Sequence, residues 1–329
     1  MKAVVVDSKI IDLFKSFRQE ERIFADAGID FVVGNARNDA EYIELCGDAD
    51  ALLLIGLRTP RHVIERLKKC KVIVRYGVGY DCVDIPACSD HGIVVCNVPD
   101  AGTDDVASHA FALALNCMRK IGYYDRQIHR GHWHAGEGYT IHRLSTQTFG
   151  LCGFGSIARV VARYAAVLGS RLIGYDPFVD DASFEQHGVK KVSFEELLQQ
   201  SDVISIHTPL NEHTRHMFSK PVFEKMKRGM IIVNTSRGGV VCQDDLLDAI
   251  DAGIVKACGL DVNECEPLTD VNNRILQYDN VVLTPHSAAE SVEYFIALQE
   301  RAARTVIEVL NGELPRNVIN REQIIKKRA

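Results

Sequence analysis

The sequence predicts an α/β protein built from two doubly wound parallel-sheet domains. Short, nearly continuous apolar runs alternate with helical stretches from one end to the other, the pattern of strands buried on both faces. A chain of 329 residues is too long for one ordinary core and suits two. Midway, a glycine-rich turn ends a strand and opens a helix, a join that parallel sheets use to hold ligands.

In the first half, residues 3–6, 31–33, 51–55, 72–74 and 93–96 read as strands, with helices at 39–46 and 62–69 between them. A long helix then runs from Thr103 to Arg119, with Thr103 as the expected N-cap and Asp104 and Asp105 at the positive end of its dipole. The polar stretch 129–147, which holds the single tryptophan, Trp133, interrupts the alternation and reads as a protruding arm or a surface loop. Strands resume at 149–152, 171–175, 203–207, 230–233, 257–262 and 281–284, and a helix over 292–310 follows. Its placement returns the chain to the first domain. The expected division is a discontinuous, flavodoxin-like domain, 1–98 plus 293–329, with a Rossmann-like domain inserted at 99–292. The active site is expected in the cleft between them. The basic cluster Arg321 to Arg328 reads as a solvated tail.

Composition narrows the function. A net charge of −6 and a pI near 6.1 offer no basic field for nucleic acid. No apolar run reaches the roughly 20 residues that span a bilayer. Met1-Lys-Ala-Val-Val-Val reads as a first strand and not a signal peptide. Ten cysteines without a C-x-x-C pair or zinc spacing predict free thiols, no metal and a cytoplasmic protein.

In Gly150-Leu-Cys-Gly153-Phe-Gly155-Ser156-Ile157-Ala158, Gly153 and Gly155 allow a tight turn and let backbone N–H groups approach a pyrophosphate. Ala158 meets the need for close helix–strand packing. Asp176 closes the next strand, about 20 residues on, where a carboxylate accepts from ribose hydroxyls and repels a 2′-phosphate. NAD is therefore expected over NADP. Alone, such a turn is weak evidence; the full strand–helix–strand context strengthens it.

Three later strands each end in a polar residue set: Asn234-Thr235-Ser236-Arg237-Gly238, Asp261-Val-Asn-Glu-Cys-Glu266-Pro267, and Thr284-Pro-His286. Arg237 offers a planar fork for a carboxylate, His286 gives and takes a proton near neutrality, and Glu266 can orient it and stabilise its charged form. Singly, each also reads as an ordinary loop residue. Together they supply what hydride transfer to a 2-keto acid needs. Asp261 reads either as a partner of the nicotinamide carboxamide or as a carboxylate capping the next loop.

These segments resemble the D-isomer-specific 2-hydroxyacid dehydrogenase family. The resemblance runs through Val74-Arg75-Tyr76-Gly77-Val78-Gly79-Tyr80-Asp81, Cys96-Asn97-Val98-Pro99, the glycine turn, Tyr175-Asp176-Pro177 and His207-Thr208-Pro-Leu-Asn211, then the three strand ends. It implies an NAD-dependent oxidoreductase interconverting a (R)-2-hydroxy acid and its 2-keto acid, working as a homodimer. By the same resemblance, Arg237, Glu266 and His286 are catalytic, and Arg75 with the Val78-Gly79 backbone holds substrate. Val78, Gly153, Gly155, Ser156, Ile157, Asp176, Thr208, Thr235, Ser236 and Asp261 line NAD. The phosphoglycerate dehydrogenase and C-terminal-binding-protein branches look nearest. Cys242, Ser108 and Ala289 depart from family patterns, where aspartate, glutamate and the corepressors' tryptophan are usual. The chain also ends before the regulatory domain of many phosphoglycerate dehydrogenases. The rival reading is an NAD(H)-sensing, corepressor-like binding protein, against which stand the missing tryptophan and the lack of long flanking disordered segments. Arg58 and Arg61 are candidates for a second anionic group of the substrate or for plain solvated residues.

Overall fold

The computed structural model describes residues 1–7, 14 and 16–328. The chain divides into two compact units, Met1–Gly102 with Glu290–Ala329, and Thr103–Ala289. Each is an α/β sandwich around its own parallel sheet.

The first sheet holds β1 (Lys2–Asp7), β2 (Asp30–Ala36), β3 (Ala51–Leu54), β4 (Val72–Arg75) and β5 (Val94–Cys96), in the order β2-β1-β3-β4-β5. All pairs are parallel, with Val4 opposite Val32 and Leu52. Alternate residues of β1 enter opposite cores: Ala3 and Val5 pack with Phe24 and Val306, Val4 and Val6 with Tyr42 and Ile64. Burial on both faces is why this strand reads as an unbroken apolar run. The order reverses beside β1, a switch point where ligands collect at strand carboxyl ends. There the Asp7 carboxylate accepts from the N–H groups of Gly56 and Leu57 at 2.5 and 2.6 Å and shapes the loop after β3.

The helix Val292–Leu310 packs on β4 and the helix Arg18–Asp26, so the last segment does join the first unit. The basic cluster behind it is solvated, as expected, but helical. It forms the helix Arg321–Arg328, anchored by buried Ile324 and by Asn320, whose amide accepts from Val95 N and donates to Ile93 O, both at 2.9 Å. A helix with one buried isoleucine among lysines and arginines gave too little apolar signal to see. Helix 62–69 is likewise shorter than expected, Arg61–Ile64 followed by turns.

A buried carboxyl lies within this unit. Glu20 is fully buried, accepts from Tyr76 Oη and, at 2.9 Å, from Gln299 Nε2, and burial raises it to about 7 against the partial relief of those bonds. The folded state then holds a proton that the unfolded chain releases above about 4.5, so stability falls as pH rises through the window from 4.5 to 7. The shift corresponds to roughly 3 kcal/mol. Glu20→Gln, which mimics the protonated form, should flatten the loss of melting temperature between pH 5 and pH 8. Parallel pH dependences in parent and variant would refute this.

The second sheet contains β6 (Thr148–Cys152), β7 (Arg171–Tyr175), β8 (Lys190–Lys191), β9 (Val203–Ile206), β10 (Met230–Asn234), β11 (Val255–Leu260) and β12 (Val281–Leu283). Their order is β12-β11-β10-β9-β6-β7-β8, a Rossmann arrangement extended by one strand. Ile231 and Val233 face one core, Met230 and Ile232 the other. The two-residue β8 was invisible in sequence because it carries only lysines. Thr103 is not a cap: the helix Thr103–Arg119 already includes it, after Gly102, and its hydroxyl is buried without a hydrogen-bond partner among the described residues. Within 129–147 there is a 3₁₀ turn at Leu144–Thr146 and no strand, and Trp133 is 83% exposed. No helix among the described residues is long and apolar enough to cross a membrane.

Candidate active site

At the second unit's switch point, between β6 and β9, the chain leaves β6 through Gly153 with φ +87°. A Cβ there would meet His207 C at 2.9 Å and Thr208 N at 3.1 Å, so only glycine fits against the end of β9. Nothing lies within 4 Å of a Cβ built on Gly155, which leaves its backbone open to a ligand. Ser156 and Ile157 then begin the helix Ser156–Val167. Asp176, just past β7, accepts from Phe154 N and Phe178 N, both at 2.9 Å, which ties it to the glycine turn. Lone pairs remain on each oxygen for ribose hydroxyls. At the ends of β9 and β10, Thr208 Oγ1 and Thr235 Oγ1 are buried with no hydrogen-bond partner among the described residues. Orphaned hydroxyls are costly unless a ligand engages them. Open glycine backbone, an acceptor at the strand end and two orphaned hydroxyls fit a dinucleotide. Desolvation pushes His207 down to about 4, so beside Thr208 it is neutral at ordinary pH.

Past β10, Asn234 organises the turn that carries Arg237. Its Oδ1 accepts from Ser236 N at 3.0 Å and Ser236 Oγ at 2.8 Å, and its Nδ2 donates to Arg237 O at 3.0 Å. The Arg237 Nη1 donates to Ser236 O at 2.7 Å. Gly238 follows because a Cβ would stand 1.9 Å from Asn263 O, in the loop after β11. That contact brings the Arg237 and Glu266 loops together.

Glu266 Oε2 lies 2.8 Å from His286 Nδ1, and its Oε1 accepts from Asn263 N at 2.8 Å. Half-burial pushes this carboxyl up, but the His286 ring, the Asn263 N–H and the charge of Arg237 together hold it below the usual carboxylate range. An ionised carboxylate only accepts, so Nδ1 carries the hydrogen and Nε2 is the edge left for a reactant. His286 itself sits at φ +56°, unusual for a side chain larger than glycine. Its N–H donates to Asp261 O at 2.8 Å and Thr284 O at 3.0 Å. The buried Asp261 carboxylate accepts from Thr284 Oγ1 at 2.6 Å, Ser287 N at 2.9 Å and Ala288 N at 3.0 Å. Asp261 thus caps the turn, the second of the two roles its sequence context allows, and thereby holds His286 in a strained backbone.

The D-isomer specific 2-hydroxyacid dehydrogenase, NAD binding domain, matches residues 111–288, more than half of the chain. The chain belongs to the D-isomer-specific 2-hydroxyacid dehydrogenase family. Its second unit is that family's NAD-binding domain, and NAD is the cofactor. Among relatives, it is 37% identical to a glyoxylate reductase of Korarchaeum cryptofilum, over 86% of each chain. It is 42% identical to a D-3-phosphoglycerate dehydrogenase of Archaeoglobus fulgidus over 78% of this chain, but spans only 49% of that protein's length. The apo structure of D-lactate dehydrogenase from Escherichia coli superposes with a TM-score of 0.80 at 27% identity, covering 97% of this chain and all of that one (100%).

In the first unit, Arg75 ends β4 and its Nε donates to Ile55 O at 2.9 Å. The loop behind it is pinned by Asn97 Nδ2 donating to Val78 O at 2.7 Å and by Val98 N donating to Gly77 O at 2.9 Å. Val78 is exposed, and the N–H groups of Val78 and Gly79 donate to nothing among the described residues. Arg61 pairs with Asp90 at 2.9 Å, while Arg58 is exposed. Of the family departures, Cys242 precedes the helix Gln243–Asp251 without a side-chain cap bond, and Glu264 Oε2 accepts from Gln243 N at 3.0 Å instead. Ser108 Oγ bonds Asp105 O at 2.8 Å on an exposed helix face. Sequence reasoning missed Asn234 and Asn263 as organisers of the two loops; each lay inside a quoted motif, but backbone bonding of this kind leaves no periodic signal.

Proposed function

We propose that this protein interconverts a (R)-2-hydroxy acid and its 2-keto acid with NAD(H). The observation that carries this reading is the Glu266–His286 pair, 2.8 Å apart and within the electrostatic reach of Arg237, in a family NAD-binding domain. When bound, NADH supplies the hydride for C2 of the keto acid. His286 in its charged form donates a proton from Nε2 to the developing alkoxide, and in the reverse direction takes it back. Glu266 holds the ring in place and stabilises its positive charge. Arg237 engages the substrate carboxylate and polarises the adjoining carbonyl. In the first unit, the unengaged Val78 and Gly79 N–H groups, beside Arg75, fit a substrate carboxylate. Thr208, Thr235, Ser236, Asp176 and the glycine turn hold the dinucleotide. Apolar Ile121, Ile128 and Trp133, exposed on and after the helix Ile121–His129, support a homodimer.

Relatives named for glyoxylate, hydroxypyruvate and phosphoglycerate define the test set. Oxidation of NADH with glyoxylate, hydroxypyruvate, pyruvate and 3-phosphohydroxypyruvate should show turnover with at least one. NADH binding without turnover on any would leave a dinucleotide-binding protein and sink the proposal.

Asp176 should set cofactor choice. Two unit charges about 5 Å apart at an effective dielectric near 20 repel by roughly 3 kcal/mol, about a hundredfold in affinity. NADH should bind tighter than NADPH by about that factor. Replacing Asp176 by serine with an arginine nearby should narrow or invert the gap. Equal use of both cofactors by the parent would refute the assignment.

A further inference from the structure

We infer that His109 is a positioning residue for the turn that carries His286. The inference rests on the proposed role of His286. His109 sits on the helix Thr103–Arg119, which packs against β11 and β12, and its ring reaches the turn after β12. His109 Nε2 lies 2.9 Å from Thr284 Oγ1 and 3.6 Å from Asp261 Oδ1.

The direction of each bond follows from the partners. The Asp261 carboxylate also receives the Ser287 and Ala288 N–H groups, so it is an ionised acceptor, and the Thr284 hydroxyl must donate its only hydrogen to Oδ1. Thr284 Oγ1 can then only accept, so His109 Nε2 is the N–H donor. A chain of one sense results: His109 to Thr284, Thr284 to Asp261. Aligned bonds of this kind polarise one another.

Its far end is the capped turn. Asp261 receives the N–H groups of the two residues after His286, and its own carbonyl accepts the His286 N–H at 2.8 Å. The φ of +56° at His286 is a strained conformation that must be held from outside the residue. His109 supplies that hold from a neighbouring helix by fixing the Thr284 rotamer. It thereby sets where the imidazole stands against Glu266 and where the Asp261 carboxylate stands at the strand end. His109 touches neither reactant and transfers no proton; its bond to the turn after β12 is recognisable only from the fold.

The test compares His109→Phe, which keeps the volume and removes the donor, with His109→Gln, which keeps an N–H at similar reach, and with Thr284→Val. Kinetics of keto-acid reduction would be recorded across pH, beside NADH titrations and melting curves. His109→Phe should lower kcat about tenfold, the scale of one lost part-buried hydrogen bond, and should move the alkaline fall of kcat to lower pH. The keto-acid KM should stay within about twofold. His109→Gln should recover kcat to within about threefold of the parent. Thr284→Val should reproduce the His109→Phe losses, and the double variant should be no worse than either single one. An unmoved pH profile in His109→Phe or in Thr284→Val, equal losses in the Phe and Gln variants, or multiplicative losses in the double variant would overturn the inference while His286→Ala remains inactive. Full activity in His286→Ala would overturn the underlying reading and this one with it.

Discussion

His286→Ala is expected to lower kcat for keto-acid reduction by roughly two to four orders of magnitude, with NADH affinity changed by less than about threefold. The two effects separate because the ring and the proposed cofactor-holding groups belong to different strand ends. The imidazole stands after β12, whereas the glycine turn, Asp176, Thr208 and Thr235 lie at the ends of β6, β7, β9 and β10. Alanine removes the proposed proton donor and disturbs nothing that the proposed dinucleotide site needs, since Asp261 still caps the turn through Ser287 and Ala288. Steady-state kinetics and NADH fluorescence titration check both halves. A companion variant, Glu266→Gln, should retain a residual rate but shift its alkaline fall to lower pH. The carboxylate is ionised throughout the ordinary range, and the amide cannot stabilise an imidazolium in the same way. Full activity in His286→Ala together with an unshifted Glu266→Gln profile would mean that the acid–base pair lies elsewhere.

Legibility in the sequence followed burial. Strands such as β1 and β10, covered on both faces, show as unbroken apolar runs, so the two-sheet α/β class could be read directly. β8, with two lysines, and the helix Arg321–Arg328, with one buried isoleucine, carry almost no apolar content and passed unseen. The Thr103 cap failed for a related reason. Capping depends on which residue leaves helical geometry, and Thr103 already lies within the helix.

The candidate site was legible where side chains themselves carry the chemistry. Histidine after Thr-Pro and glutamate before Pro pointed to each other, and they meet at 2.8 Å. What could not be read were the groups acting through backbone. Asn234 folds the Arg237 turn and Asn263 feeds Glu266 Oε1. Each depends on a bond between segments more than two residues apart, or on a φ that only the fold imposes. Gly238 illustrates the difference: its freedom to turn was foreseeable, but the pressure of Asn263 O against its missing Cβ was not.

Arg237→Lys should lower kcat/KM for the keto acid by about two orders of magnitude, through a higher KM and a lower kcat together. Lysine keeps the positive charge that helps hold Glu266 ionised, so the electrostatic setting of the acid–base pair survives. What it loses is the planar fork. In the parent, Nη1 is fixed by Ser236 O at 2.7 Å while the Asn234 amide holds the Arg237 carbonyl at 3.0 Å, so the guanidinium plane is set before substrate arrives. A single ammonium on a flexible stem can neither grip a carboxylate with two parallel bonds nor polarise the adjoining carbonyl from a fixed direction. The loss should therefore appear without movement of the pH profile, unlike that of Glu266→Gln, and without change in NADH affinity. Pairing the two variants separates geometry from charge. A kcat/KM within about threefold of the parent would make Arg237 an ordinary loop arginine. A displaced profile in Arg237→Lys would instead place its contribution in the charge state of the Glu266–His286 pair.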